Sequence, residues 1–158
     1  MTNIEDMSET ERQSWIILLA DGAVLIWFLQ KMTTSWSIKP NNIGMDAFGE
    51  VVISLIIITV VLHIVIASLF EVRKRKGDHQ KDERDTEIER KGADWGYRIM
   101  QYGVGGVIVT MLIQQGVGAD YQGPISIETP VEIIFFLLVI SYVADLLKQL
   151  VMIHAYRS

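Results

Sequence analysis

The chain alternates between long apolar stretches and short connections that carry most of its charge. Four of the stretches reach or approach about 20 mostly apolar residues, the length that a helix needs to cross the hydrocarbon core of a bilayer. They are residues 15–32, 51–70, 99–117 and 131–153, joined by residues 33–50, 71–98 and 118–130 and flanked by residues 1–14 and 154–158. This pattern predicts an all-α fold, an integral membrane four-helix bundle.

The second stretch distinguishes a membrane bundle from a buried soluble one. Its β-branched residues favour a strand in water, but an open strand in lipid leaves backbone groups unpaired, so a helix is expected. A soluble bundle would need a polar face on each helix. Within residues 51–70 the polar side chains are few: Ser54, Thr59, His63 and Ser68. The stretch therefore favours a membrane helix.

Composition removes several other classes of protein. The 158 residues are half hydrophobic, contain no Cys and carry a formal net charge of −5, and their mean hydropathy is +0.30. Without Cys there is no disulfide, thiolate metal site or cysteine nucleophile. The acidic balance offers no basic surface for nucleic acid. The sequence has no P-loop, GxSxG or HExxH motif. We predict no nucleic-acid partner, cofactor, metal site, catalytic residue or enzyme activity.

The distribution of Lys and Arg predicts the orientation. Nine of the 14 such residues lie in residues 71–98, and none lies in residues 118–130. Loops rich in Lys and Arg remain in the cytoplasm. The sequence therefore predicts that residues 71–98 and both termini are cytoplasmic.

The segment 71–98 contains two different polar features. A basic cluster directly follows the second span, where it either attracts anionic lipid headgroups, by about 1 kcal/mol per residue, or only determines the topology. From Lys81 the pattern is helical and enters the third span without a proline, which predicts one helix from about Asp82 to Gln115. At 1.5 Å per residue this helix is about 50 Å long and extends into the cytoplasm. The basic cluster consists of Arg73, Lys74, Arg75 and Lys76.

The start of this long helix carries the pattern DERxxxIxxK, formed by Asp82, Glu83, Arg84, Ile88 and Lys91. The pattern resembles that of a loose group of small, multi-span prokaryotic membrane proteins of unknown function, which carry a DER-type motif before a transmembrane helix. The resemblance covers only a short part of the chain. It implies a prokaryotic cytoplasmic membrane and an interaction or regulatory role, with these residues as a docking motif, and it transfers no catalytic residue.

Ionisable residues inside three of the spans form a second candidate site. Asp21, His63 and Asp145 each lie about 9–12 Å from the predicted cytoplasmic ends of their spans, at 1.5 Å per residue. Such residues are costly in lipid and face the bundle interior or water. They predict a polar cavity or a hydrogen-bond network that senses or passes protons. Alternatively, both carboxylates reach the interface and the histidine is only packed. At this level we expect small residues of the third helix: Gly103, Gly105 and Gly106.

Small residues along one face of the third helix predict close helix packing in lipid. The partner is either another helix of the same chain or a second copy of the protein. The residues of this seam are Gly92, Gly96, Gly103 and Gly106.

Three functional hypotheses follow from these features. The first is an oligomeric interaction or regulatory module that uses the charged helix 82–98 to contact a membrane or cytosolic protein. The second is a small proton-coupled transporter or channel that uses Asp21, His63 and Asp145. The third is an accessory subunit of a membrane complex. In all three the chain is a multi-pass protein of a prokaryotic cytoplasmic membrane, in contact with the lipid bilayer and its anionic headgroups.

Overall fold

Four long helices make up most of the described chain. The computed structural model describes residues 8–34, 39–74, 83–118, 121, 123 and 125–158, with the backbone alone at residues 72–74. The helices and their bounds are α1 (Glu9–Met32), α2 (Met45–Lys74), α3 (Glu83–Val117) and α4 (Pro130–Arg157). The all-α prediction is confirmed.

Three of these helices are long and apolar enough to cross a membrane: Glu9–Met32, Met45–Glu71 and Pro130–Arg157. Their length and composition indicate a membrane protein. Among the described helices, α3 does not reach the same hydropathy, because Gln101, Gln114 and Gln115 interrupt its apolar half. The fourth predicted span therefore remains a prediction.

The surface of α2 is suited to lipid rather than water. Large aliphatic side chains are exposed on several sides of this helix, including Ile57 at 57%, Ile64 at 59% and Leu69 at 63%. A soluble monomer rarely exposes a contiguous apolar surface of this kind. In a bilayer the same side chains contact lipid tails, so no protein partner is needed to explain them.

Local sequence signals explain where the helices begin. The side chain of Ser8 accepts a hydrogen bond from the backbone N–H of Glu11, so α1 starts before the apolar stretch does. At α4, Pro130 occupies the first turn and Thr129 forms a capping box with Glu132. Both arrangements satisfy N–H groups that a helix N-terminus otherwise leaves unpaired.

The helices pack in antiparallel pairs around α4. Helix α4 contacts α3 on one side and α1 on another, and α2 packs against α1. The start of α1, the end of α4 and the start of α3 lie together, and we call this the polar end. Here Arg157 Nε lies 3.2 Å from Glu11 Oε1, and the Tyr156 hydroxyl donates to Asp85 Oδ1 at 2.7 Å. We call the opposite end the loop end.

The buried apolar core lies towards the loop end. It is built from α1, α2 and α4, and Phe28 stacks on Phe135 with ring centroids 5.7 Å apart. The large side chains here are almost fully buried. They form an apolar layer between the middle of the bundle and the loop end. We call this layer the plug, and its members are Phe28, Met32, Phe48, Leu55 and Phe135.

The small-residue seam of α3 packs largely within the molecule. A Cβ added at Gly92 would lie 2.5 Å from Met152 Cγ, and one at Gly96 would lie 3.2 Å from the Ala144 carbonyl oxygen. At Gly103 an added Cβ would lie 2.5 Å from Ile140 Cγ2, so these three glycines allow α3 to approach α4 closely. By contrast, a Cβ at Gly106 would meet nothing within 4 Å.

We expect Gly96→Leu to be less stable than Gly106→Leu, because only the first substitution forces a side chain between two helix backbones. Both changes give the same gain in helix propensity, so their difference isolates the contact with α4. Overpacking of this kind costs about 1–3 kcal/mol. Thermal unfolding of the two variants in the same detergent measures the difference. Equal stabilities would contradict the packing of α3 against α4.

Candidate functional site

A cleft of about 290 Å³ lies between α2 and α4, with α1 at its base. It contains the three ionisable residues that the sequence predicts to lie deep within the spans. Three further polar residues complete the lining. The full set is Asp21 from α1, Thr59 and His63 from α2, and Ser141, Tyr142 and Asp145 from α4.

Asp21 is the buried group of the cleft. Its exposed fraction is 2%, and neither carboxylate oxygen accepts a hydrogen bond from the described part of the chain. The carboxyl group of Asp145 faces it closely enough for a hydrogen bond if one of the two carries a proton. An ionised carboxylate without donors is expensive in a buried site. A proton shared between Asp21 and Asp145 would supply the missing donor.

His63 connects this pair of carboxyl groups to the surface of the bundle. Its Nδ1 lies 2.9 Å from the backbone oxygen of Thr59, and because a carbonyl only accepts, Nδ1 carries a proton. The other nitrogen, Nε2, lies 3.6 Å from Asp21 Oδ2. Protonation of Nε2 therefore creates a positive charge beside Asp21. The imidazole side chain is 43% exposed.

Asp145 is the accessible carboxylate of the site. Its side chain is 38% exposed, and Lys148 Nζ lies 4.0 Å from its Oδ1. The two carboxyl groups thus differ sharply in environment, since Asp21 is buried and Asp145 is open to the cleft.

The cleft is closed towards the loop end. The hydroxyl groups of Thr59 and Tyr142 are hydrogen-bonded to each other and join α2 to α4. Thr59 also donates to the backbone oxygen of Leu55 at 2.8 Å, and Leu55 belongs to the plug. The cleft is therefore separated from the loop end by a hydrogen bond and a layer of buried apolar side chains.

One part of the predicted geometry is wrong. The sequence places Gly103, Gly105 and Gly106 at the level of the three ionisable residues. In the structure, Gly96 lies against Ala144 and Lys148, whereas Gly103 lies against Ile140, further towards the loop end. From the sequence, the depth of each residue could be counted only from the predicted end of its own span. The contacts between α3 and α4 set a different register, and the cleft is lined by α1, α2 and α4 alone among the described residues.

The same register puts the cleft close to the polar part of α3. Near the level of Gly96, α3 carries an exposed ion pair between Arg98 Nη2 and Asp94 Oδ2 at 3.0 Å. The ionisable residues of the cleft thus lie near the border at which the bundle changes from apolar to charged. This position is consistent with partial access to water.

The proposed docking motif is divided by the fold. Glu83, Arg84 and Lys91 are exposed, but Ile88 is only 6% exposed and belongs to the buried face of α3. Asp82 lies outside the described residues. The side chains of the basic cluster, Arg73, Lys74, Arg75 and Lys76, also lie outside them. Within the described residues, no group of three or more His, Asp or Glu side chains has the arrangement of a metal site.

Sequence reasoning did not select Thr59, Ser141 or Tyr142. A signal for all three is present, because Thr59 precedes His63 by four residues, and Ser141 and Tyr142 precede Asp145 by four and three. Residues at these spacings share a helix face. A search for polar neighbours one turn from each of the three ionisable residues would have found all of them.

Comparisons with known proteins add no relative. The chain matches no model of a known protein family, and neither a curated protein nor a solved structure is significantly similar to it. The interpretation of the cleft therefore rests on its own geometry.

Proposed function

We propose that this protein is a small proton-coupled membrane transporter or channel, with Asp21, His63 and Asp145 as its proton-binding site. The observation that carries the proposal is the buried Asp21 carboxylate, which has no hydrogen-bond donor among the described residues and faces two titratable neighbours. Intramembrane carboxylates and histidines of this kind mark proton relays in pumps and transporters. A purely structural aspartate would have its acceptors satisfied.

The shape of the cleft supports transport rather than static binding. The cleft is accessible beside His63 and Asp145 and closed towards the loop end by Thr59, Tyr142 and the plug. A site that is open on one side and sealed on the other corresponds to one state of an alternating-access cycle. Protonation of Asp21 would neutralise its carboxylate, whose charge is unfavourable next to the apolar plug. Proton binding would therefore be coupled to opening of the cleft towards the loop end.

The number of membrane crossings, odd or even, decides whether the two ends of the chain lie on the same side. This parity argument supports α3 as the fourth span. If α1, α2 and α4 alone crossed the membrane, the start of α1 and the end of α4 would lie on opposite sides. The structure instead pairs Glu11 with Arg157 and Tyr156 with Asp85 at one end. A fourth crossing resolves this conflict, and α3 is the remaining described helix. We propose that the polar end is cytoplasmic and that the membrane is a prokaryotic cytoplasmic membrane.

Proton flux in proteoliposomes tests the proposed function. Vesicles with a trapped pH-sensitive dye and an imposed pH gradient are exposed to a panel of small cationic, anionic and neutral solutes. We expect protein-dependent dissipation of the gradient, either alone or with one class of solute. The variants Asp21→Asn, His63→Ala and Asp145→Asn should reduce the flux to the level of protein-free vesicles.

The matched control is Asp94→Asn, which removes an exposed carboxylate on α3 outside the cleft. This variant should retain the flux of the unmodified protein. If all three cleft variants carry the same flux as the unmodified protein, the cleft is not a proton pathway and the proposal fails.

The charged face of α3 supports a second proposal, an interaction or regulatory module that works as an oligomer or with a protein partner, such as a complex to which it is an accessory subunit. Its apolar seam is used by α4, but Glu83, Glu87 and Lys91 remain exposed on the outer face. Among its described residues this surface has no side-chain atom that is buried without a hydrogen-bond partner, so it supports a specific activity less well than the cleft does. Both roles are compatible in one molecule.

A further inference from the structure

The balance of charge in the cleft indicates the kind of solute that it accepts. Two carboxylates, Asp21 and Asp145, face one another, and the neighbouring groups that can balance them are His63 from α2 and Lys148 from α4. Lys148 lies 4.0 Å from Asp145 and one turn further towards the polar end, so it does not supply a donor to Asp21. When His63 is neutral, the inner part of the cleft therefore lacks one positive charge.

The size and walls of the cleft favour an organic cation over a bare metal ion. The described residues contain no arrangement of three His, Asp or Glu side chains that would hold a metal. A volume of about 290 Å³ is far larger than one ion requires, whereas it is close to the lower limit of about 300 Å³ for small-molecule pockets. Tyr142 lines the same space, and an aromatic side chain of this kind attracts ammonium groups at its ring face.

We propose that the cleft binds a small organic ammonium ion, with Asp21 as the principal counter-ion and Asp145 and Tyr142 as further contacts. The inference rests on the proposed transport function and names its substrate class. Binding of the cation and binding of a proton satisfy the same carboxylates, so the two exclude one another. Entry of the ammonium ion releases the proton shared by Asp21 and Asp145 to water, and rebinding of that proton releases the ammonium ion.

The test uses the purified full-length protein in detergent and benzyltrimethylammonium as the probe. This cation has no ionisable proton, so any pH dependence of its binding comes from the protein. We expect saturable binding in calorimetric titrations at about pH 8, weaker binding at about pH 5, and release of protons that appears as a dependence on the ionisation enthalpy of the buffer. Benzenesulfonate, which has a similar ring and the opposite charge, should not bind.

Substitutions in the cleft test whether the cation binds beside Asp21. Asp21→Asn should weaken binding of benzyltrimethylammonium by about 10-fold to 100-fold, as expected for loss of one charge-assisted contact. The control Asp94→Asn should leave the affinity unchanged. Because Asp21→Asn preserves the shape of the side chain, a folded variant is expected, and its unfolding profile in the same detergent verifies this.

The outcomes separate this inference from the proposed function. Proton flux that depends on Asp21 without measurable binding of benzyltrimethylammonium overturns the ammonium inference and leaves proton transport standing. Binding of benzenesulfonate as tight as that of the cation, or affinity that is unchanged in Asp21→Asn, overturns the inference as well. A protein that passes no protons in vesicles with any solute overturns the proposed function, and with it the inference.

Discussion

Asp21→Asn will raise the thermal stability of the protein in detergent while it removes the proton-dependent transport that we propose. The native carboxylate is buried and has no donor among the described residues. The asparagine amide keeps the shape of the side chain, carries no charge and donates to the facing Asp145. At a pH at which Asp21 is ionised, removing this unsatisfied buried charge should stabilise the fold by about 1–3 kcal/mol. For a chain of this size, each kcal/mol corresponds to about 2–4 °C in melting temperature.

This combination distinguishes a functional site from a structural one. A structural aspartate stabilises the fold, and its replacement lowers the melting temperature, whereas a site that stores unfavourable charge for function becomes more stable when the charge is removed. The matched control is Asp94→Asn, which removes a carboxylate from an exposed i,i+4 ion pair. Such pairs contribute little, so we expect a change of less than about 0.5 kcal/mol. A lower melting temperature for Asp21→Asn would show that Asp21 is a structural acceptor.

Labelling of single cysteines will place the two ends of α3 on opposite sides of the membrane. The chain contains no Cys, so each introduced thiol is the only one present. Arg84 and Gln115 are both exposed, near the start and the end of α3. In intact cells we expect a membrane-impermeant maleimide to label Gln115→Cys fully and Arg84→Cys negligibly. The reverse is expected in inside-out vesicles.

The control for this experiment is labelling after solubilisation in detergent, in which both thiols should react to the same extent. Labelling of both positions from one side would show that α3 does not cross the bilayer. The parity argument from the Glu11–Arg157 contact would then be wrong. Labelling with the sides exchanged would retain four spans but reverse the orientation that Lys and Arg predict.

The helices are predictable from sequence because hydropathy acts locally. Each apolar stretch must form its backbone hydrogen bonds internally in lipid, so residues 15–32, 51–70 and 131–153 become helical whatever their neighbours are. The long third helix is predictable for a similar reason, since no proline interrupts residues 83–117. The start of α1 is less obvious, because the Ser8 cap allows the helix to begin at Glu9, before the apolar segment.

The candidate site is predictable in part. Depth along each helix suggests that Asp21, His63 and Asp145 share one layer, and the cleft contains all three. Depth alone gives neither the rotation of each helix nor its register with the others. For this reason the sequence assigned the wrong glycines of α3 to this layer and missed Tyr142, whose hydroxyl helps to close the cleft.

The sequence by itself determined that this chain forms four helices, that most of them suit a bilayer, and that three ionisable groups lie at similar depths. These properties follow from composition and rise per residue, which are local. Only the tertiary structure decided that Asp21 is buried without a donor among the described residues, while Asp145 and His63 remain accessible. It also decided that Gly92, Gly96 and Gly103 allow α3 to pack closely against α4. Burial and pairing depend on which helix faces meet, and that choice is made by packing among all the helices at once.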